Sequence, residues 1–502
     1  MNALLDRAPV IVGVGEITQR TKDPAQALEP LALMEAALRA ADEDADGGLL
    51  PALDSLDVVS EYSWPYADAP KQLCERLGIA PARRAYGELG GESPVRYIHE
   101  AALRIASGET SIAAVVGAEA NYAVANAAKT KIDLPWSARD RDAKLIRGVD
   151  YLHPLAVKLG VATPASVYPF YENAATAAWG QTPRQALVES GRIWAGCSRV
   201  AAENPHAWQR EAFTAEQITT PAPDNRLVAW PYTVRMVANP LVNQGAAVLL
   251  MSRGEARRRG LSDDRLVFVW CGAAAKEPAD YLFRDQYERS HAQEAVLERV
   301  LASVGSIGTF RQVELYSCFP IVPKMARRTL ALPADAAVTT TGGLSFFGAP
   351  LNNYMTHACA ALVRGLRGKQ GAVALLYGQG GYLTNHHAIV LAAGAPPQPM
   401  LDAEYGVQGD TDRRRGHIPP LTLDYAGPTR LESHTTLYGR DGAPTHGVVI
   451  LRTPADGRLL ARVERRDSAS LATLTDLDRS AVGRTGVVMR AEDGTPTWQI
   501  IS

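Results

Sequence analysis

The stretch that most constrains this chain occurs twice. Thr340 to Gly365, TTGGLSFFGAPLNNYMTHACAALVRG, sets a Gly pair and Gly348-Ala349-Pro350 before a long segment with small and apolar residues at helical spacing. That is the pattern of a glycine-bent loop opening into a helix with proline in its first turn. Tyr86 to Gly108, YGELGGESPVRYIHEAALRIASG, repeats the order: a Gly pair, a Pro, then a helix carrying a His, Ala-Ala-Leu and a terminal Gly. Each copy runs on into an apolar strand, SIAAVVGAEA at 111 to 120 and GAVALLYGQGG at 371 to 381. Loop, helix and strand, used twice, read as an internal duplication.

Around the repeat, strands alternate with helices. Pro9 to Gly15 is a short β-branched run ending in glycine and reads as a first buried parallel strand. Ala25 to Asp42 follows as an amphipathic helix and Leu56 to Ser60 as the next strand. The second half opens with a strand at Arg265 to Cys271 and a helix at Ala292 to Val304. The strand Gln312 to Leu315 then delivers Tyr316 and Cys318 at its end, where ligand-facing residues of an α/β sheet collect. With 502 residues, 46% apolar, the chain can bury more than one large core.

Composition removes several classes of function. A net charge of -2 argues against nucleic acid as the main partner. No signal-like segment follows Met1 and no run of eighteen apolar residues occurs, so a soluble, cytoplasmic protein without membrane attachment is expected. Five cysteines (74, 197, 271, 318, 359) are scattered without CxxC spacing, which fits a reducing compartment and rules against a cysteine-framed zinc site; no metal is expected.

Several separated motifs resemble the thiolase superfamily over roughly residues 8 to 395. Asn243-Gln244-Gly245-Ala246-Ala247 is similar to the thiolase Asn-Asp-Gly-Ala-Ala, and Gly342-Gly343 and Gly348-Ala349-Pro350 to its Gly-Gly and Gly-His-Pro blocks. Tyr316-Ser317-Cys318-Phe319 stands where thiolases carry Asn-Glu-Ala-Phe or His-Asp-Cys-Phe, and Tyr377-Gly378-Gln379-Gly380-Gly381 where they carry Cys-x-Gly-x-Gly. The resemblance implies an α/β, duplicated thiolase fold: two βαβαβαββ halves in αβαβα layers, with a loop domain inserted in the first half. Thiolase-like proteins of type one, which have an added C-terminal domain, are the nearest pattern.

At each catalytic position the chain departs from the family. The nucleophilic cysteine is matched by Gly91, its activating histidine by Ala349, the second cysteine by Tyr377, and the oxyanion-side Asn or His by Tyr316. Without a thiolate no thioester-linked acyl-enzyme forms. Cys318 and Cys359 fall near the inferred pocket but match no nucleophile position, and read as buried core thiols. His99 and His357 lie well into the two central helices, where packing is the default role. His386 matches a histidine of the type-one relatives, and Asn385 replaces a lysine there.

From about Asn121 to Asn225 the pattern changes to mixed helices and polar loops, with a helix at Pro183 to Asn204. In the family this insertion covers the pocket and receives coenzyme A. Lys129, Lys131, Arg139, Arg141, Lys144 and Arg147 are the candidates for its phosphates, although Asp133, Asp140 and Asp142 dilute their field. After Gly394 the composition shifts to a linker. Alternating segments then follow at Arg430 to Tyr438, Gly447 to Arg452, Leu459 to Glu464, Val482 to Arg490 and Thr497 to Ile501, with a short helix at Ser468 to Leu477. Three strands, a helix and two strands is the order of an oligonucleotide-binding-type barrel. Few stacking aromatics favour a protein-facing or pocket-capping use over nucleic acid. The expected division is 1–255 for the first half with the loop domain, 256–395 for the second, 396–420 for the linker and 421–502 for the barrel.

Three functions stay open. One is an acyl-CoA-binding protein of acetyl-CoA acyltransferase ancestry, with a coenzyme A thioester as ligand and nothing bound covalently. The second is a retro-aldolase on β-hydroxyacyl-CoA, resembling steroid side-chain aldolases that are thought to use tyrosines; here the groups are Tyr316 and Tyr377, with His357 and His386 as neighbours. The third is a non-catalytic scaffold that meets a protein partner through the C-terminal domain. A monomer and a homodimer are both compatible with the sequence.

Overall fold

The computed structural model describes residues 5–398 and 400–501. Met1 to Leu4, Pro399 within the segment read as a linker, and Ser502 lie outside the described residues. The duplication is visible as strand pairing. In the first half, Pro9–Thr18 runs antiparallel to Asn243–Ser252, which runs antiparallel to Ile112–Ala120, followed in parallel by Ser55–Val58 and Arg83–Tyr86. The second half repeats this: Val267–Lys276, Asn385–Ala392 and Val373–Gly380 alternate in direction, and Phe310–Glu314 joins in parallel. The two first strands meet at Val10↔Phe268 and Ile11↔Val267, giving one nine-stranded sheet with five strands from one half and four from the other. Where a fifth strand of the second half would lie, a single bond from Leu315 N–H to the Val338 carbonyl (2.9 Å) remains.

The doubled loop-helix units lie at the centre. Ser93–Ser107 and Tyr354–Leu366 contact each other, and each packs against strands of both halves. The loops ahead of them are tied directly: Gly90 N–H donates to Asn352 Oδ1 (3.2 Å) and Asn352 Nδ2 to the Ser60 carbonyl (3.0 Å). Gly348 holds φ +112°, a left-handed bend that other residues adopt only with strain. The first-half helix of the sheet is shorter than its pattern suggested. It runs Pro30–Asp44, because Pro24–Gln26 forms a separate 3-10 turn and Pro30 starts the helix.

The region 121–225 contributes two long helices, Pro164–Ala178 and Pro183–Glu203, the second opened by a Thr182/Gln185 capping box. Residues 427–500 close into a five-stranded barrel: Gly427–Tyr438, Pro444–Arg452 and Arg458–Val463 pair in sequence. Pro496–Ile500 lies parallel to the third strand, and Thr485–Arg490 returns to the first. Its own core surrounds Trp498, with Leu431, Val449 and Leu459.

The barrel is built into the rest of the molecule. Leu227–Ala229 and Tyr232–Thr233, just after the insertion, extend its sheet beside Gly427–Tyr438. Ser433 Oγ donates to the Phe170 carbonyl (2.5 Å) and Asn173 Nδ2 to the His434 carbonyl (2.8 Å). Arg458 is fully buried, paired with Glu432 (2.7 Å), donating to the Leu282 carbonyl (2.9 Å) and lying over the Tyr287 ring. The segment between core and barrel is likewise packed: Tyr405 lies on the His99 and His387 rings, and Gln408–Arg414 forms a short helix.

Candidate functional site

Two residues past the second-half strand Phe310–Glu314 stands Tyr316, whose φ of +52° is strained for a bulky residue. That turn throws the phenol back toward the start of the first central helix. A Cβ on Gly91 would overlap the Tyr316 phenol oxygen and stand 2.6 Å from the Gln379 carbonyl. Gly91 is therefore fitted to Tyr316. Burial pushes the Tyr316 hydroxyl well above its ordinary pKa, with Cys318 and Glu92 adding to the effect. Cys318 is itself held up to about 12 by burial and accepts from Gln379 Nε2 (3.2 Å), so it stays a thiol. Cys359 is also buried and neutral.

Tyr377 sits on the neighbouring strand with no exposed surface. Its oxygen accepts from Gln293 Nε2 (2.9 Å) and lies 2.7 Å from His386 Nδ1. The direction of this last bond follows from the other side of the ring. His386 Nε2 is 3.0 Å from the Leu383 carbonyl, which only accepts, so Nε2 carries the proton. Burial lowers the His386 pKa to about 4, leaving a neutral ring whose Nδ1 accepts from Tyr377. Ser290 Oγ, 3.2 Å from Nε2, donates to Glu277 Oε1 (3.0 Å). Burial acts to raise Glu277, but Arg284 (3.6 Å) and the Ala292 N–H (3.0 Å) outweigh it and hold the carboxylate below its usual range; Arg415 stands 3.3 Å away. The chain Tyr377, His386, Ser290, Glu277 is thus a row of donors pointing one way, and the phenol offers this site a lone pair rather than a proton.

Glu92 is not among the residues that the motifs single out. It caps the first central helix, is 6% exposed, and its Oε2 has no hydrogen-bond partner. A Cβ on Gly380 would overlap that oxygen, so glycine there lets the strand pass against the carboxyl. Burial raises its pKa to about 7, with Arg96 and Lys276 pulling the other way. A cavity of about 320 Å³ opens beside it, lined among others by Glu92, Arg96, Lys276, Asn385, His386 and Tyr405. The only available signal was its place directly after Gly91, at the start of a helix.

The remaining sequence candidates are elsewhere. His357 Nδ1 is 2.7 Å from Glu16 Oε1, its ring lies against Phe347, and burial lowers its pKa to about 3. His99 Nδ1 is 3.0 Å from His387 Nε2. Ala349 is buried, its N–H given to the Asn239 carbonyl (2.8 Å). Lys129, Lys131, Arg139, Arg141, Lys144 and Arg147 are all exposed; Arg139 lies over the Trp64 ring and Arg147 is 3.8 Å from Asp150. Among the described residues no group of three His, Cys, Asp or Glu is placed to hold a metal ion, and no helix is long and apolar enough to cross a membrane.

A doubled sheet around two central helices, with the site at their loops, defines a thiolase-fold protein. A family model, thiolase-like protein type 1 additional C-terminal domain, matches residues 413–495. The crystal structure of a monomeric SCP2-thiolase-like protein type 1 from Mycobacterium smegmatis superposes with a TM-score of 0.83 at 26% identity, covering 99% of each chain. The chain is thus similar over its whole length to a type 1 thiolase-like protein, and its residues 413–495 match that family's additional C-terminal domain. The fold is shared with an Ltp2-ChsH2(DUF35) aldolase (TM-score 0.60, 18% identity, 78% of this chain and 100% of that one). It is also shared with human mitochondrial 3-ketoacyl-CoA thiolase in complex with CoA (0.55, 15%, 78% and 99%). No curated protein matches the sequence.

Proposed function

We propose that this protein binds an acyl-CoA thioester in a thiolase-type site that does not perform thiolysis or Claisen condensation. The observation that carries this reading is the Tyr316 phenol filling the space where a residue-91 side chain would begin. A nucleophile at 91 has no room, and burial keeps the thiols at 318 and 359 protonated. The thiolase fold and a CoA-bound structural neighbour support the ligand class. The exposed cations from Lys129 to Arg147 are the proposed contacts for its phosphates. The test pairs calorimetric titration of the purified chain with acetyl-CoA and acetoacetyl-CoA with a thiolysis assay. Binding without turnover is expected; turnover in the ordinary range of about 1 to 1,000 per second, or no binding at all, refutes it.

A second reading, carbon-carbon cleavage of a β-hydroxyacyl-CoA, is favoured by Glu92. In a retro-aldol step a base takes the β-hydroxyl proton, the Cα–Cβ bond breaks to give a carbonyl compound, and the thioester enolate that leaves is protonated at Cα. Tyr316 and Tyr377 are too weakly acidic as placed to serve as phenolate bases. A carboxyl with pKa about 7 beside a cavity is matched to that task at neutral pH. Tyr316, with its hydroxyl at Gly91, is the remaining donor for the enolate. Release of acetyl- or propionyl-CoA from β-hydroxyacyl-CoA substrates, lost in Glu92→Gln with binding intact, is the outcome this reading requires.

A further inference from the structure

Apart from this site, a groove of about 950 Å³ runs between the helix Pro183–Glu203 and the end of the helix Ile321–Thr329. Arg184, Val188 and Arg192, four residues apart, form one stripe on the first wall; Arg327, Arg328 and Leu332 come from the second. Two of these arginines are satisfied. Arg184 binds Asp478 of the barrel through two bonds (2.8 and 3.0 Å), and Arg328 binds Glu189 through two more (2.9 Å each). Burial alone would raise the Glu189 carboxyl, but Arg328 and Gln181 outweigh it and pull its pKa to about 2.

Arg327 is left over. It is 6% exposed, and its Nε and Nη1 are buried with no hydrogen-bond partner; Glu189, already engaged by Arg328 and Gln181, comes no closer than 4.0 Å. Asp335 adds only a distant, exposed charge. Arg192 is exposed and makes no ion pair or hydrogen bond among the described residues. Counting Arg184, Arg192, Arg327 and Arg328 against Glu189 and Asp478 leaves two positive charges facing the groove. A buried guanidinium with open N–H groups is costly unless something accepts from it, and its planar fork fits a tetrahedral oxyanion at two points.

We propose that this groove binds a phosphate ester, its dianionic head taken by Arg327 with Arg192 as the second cation, and its body lying along Val188 and Leu332. Two uncompensated cations match a phosphomonoester dianion, and the volume far exceeds what one inorganic anion fills. The groove is lined by none of the exposed cations of 129 to 147, so a failure of phosphate binding here leaves the acyl-CoA reading standing.

The experiment is calorimetric titration of the full chain with AMP, glucose 6-phosphate and inorganic pyrophosphate, with succinate as a dicarboxylate control, on wild type, Arg327→Met and Arg192→Met. At least one phosphate ester is expected to bind wild type, to weaken as salt is added, and to lose at least tenfold in each variant. Should Arg327→Met fail to fold, the exposed Arg192→Met decides alone. No phosphate binding to wild type, equal binding in the variants, or succinate binding as tightly as the esters would each overturn the proposal. Coenzyme A, titrated in competition, identifies the source: competition that weakens in Arg327→Met assigns the groove to the phosphates of CoA itself, and undisturbed CoA binding assigns it to a separate phosphorylated ligand.

Discussion

The phenol of Tyr316 occupies the position from which a side chain at Gly91 would project, so the second half of the duplication closes the site of the first. Adding one atom at residue 91 therefore means moving a tyrosine that is 6% exposed and already backbone-strained. Gly91→Cys alone is expected to lose about 1–3 kcal/mol by overpacking and to remain inactive in acetoacetyl-CoA thiolysis. Gly91→Cys with Tyr316→Ala should recover part of that loss. Denaturant unfolding of the two variants checks it; an unperturbed Gly91→Cys would show that the phenol is elsewhere.

Tyr377→Phe removes the acceptor of Gln293 and the donor to His386 together. Both partners are buried, and the Gln293 Oε1 is already without one, so a loss of about 1–3 kcal/mol is expected. A variant as stable as wild type in urea would mean the relay is not formed.

Glu92 sets a pH dependence with a definite sign. Its native carboxyl keeps its proton to about 7, whereas the unfolded one releases it near 4.5. Between those values the native state binds more protons, so this group's contribution to stability is full below the unfolded pKa and is lost as pH rises through 7. Glu92→Gln should therefore gain on wild type from pH 5 to pH 8, by on the order of 3 kcal/mol at most. Melting temperatures of both proteins at the two pH values decide it; a constant difference contradicts the assignment.

Arg458 joins barrel to core. Arg458→Met takes one of two arginine partners from Glu432, which keeps Arg452 (3.1 Å), and the donor from the Leu282 carbonyl, a loss of about 1–3 kcal/mol. The expected signature is faster amide exchange in the barrel strands and at Leu282. Unchanged exchange there would mean that Ser433, Asn173 and the added strands hold the barrel alone.

The elements legible beforehand were those with local signals. The two loops that set a Gly pair ahead of a Pro, the helices after them and the five alternating segments of the barrel follow from turn chemistry and periodicity, which act over a few residues. The same holds for the identity of Gly91, Ala349, Tyr316 and Tyr377 at their motif positions. His386, legible only as a motif match, lies second in the strand Asn385–Ala392 opposite Gln379, where a short hairpin brings it to Tyr377.

The duplicated architecture and the chemistry absent from each motif position are written in contiguous residues, and a reading of the chain alone reaches both. The tertiary structure alone decided that Tyr316 fills the space at Gly91, that Glu92 is buried with an open oxygen, that His386 points Tyr377's proton away from the site, and that Arg327 is left without a partner. Except for the His386–Tyr377 pair, which a hairpin joins, each of these depends on atoms from segments more than a hundred residues apart in the chain, whose approach is fixed by packing and not by any local preference.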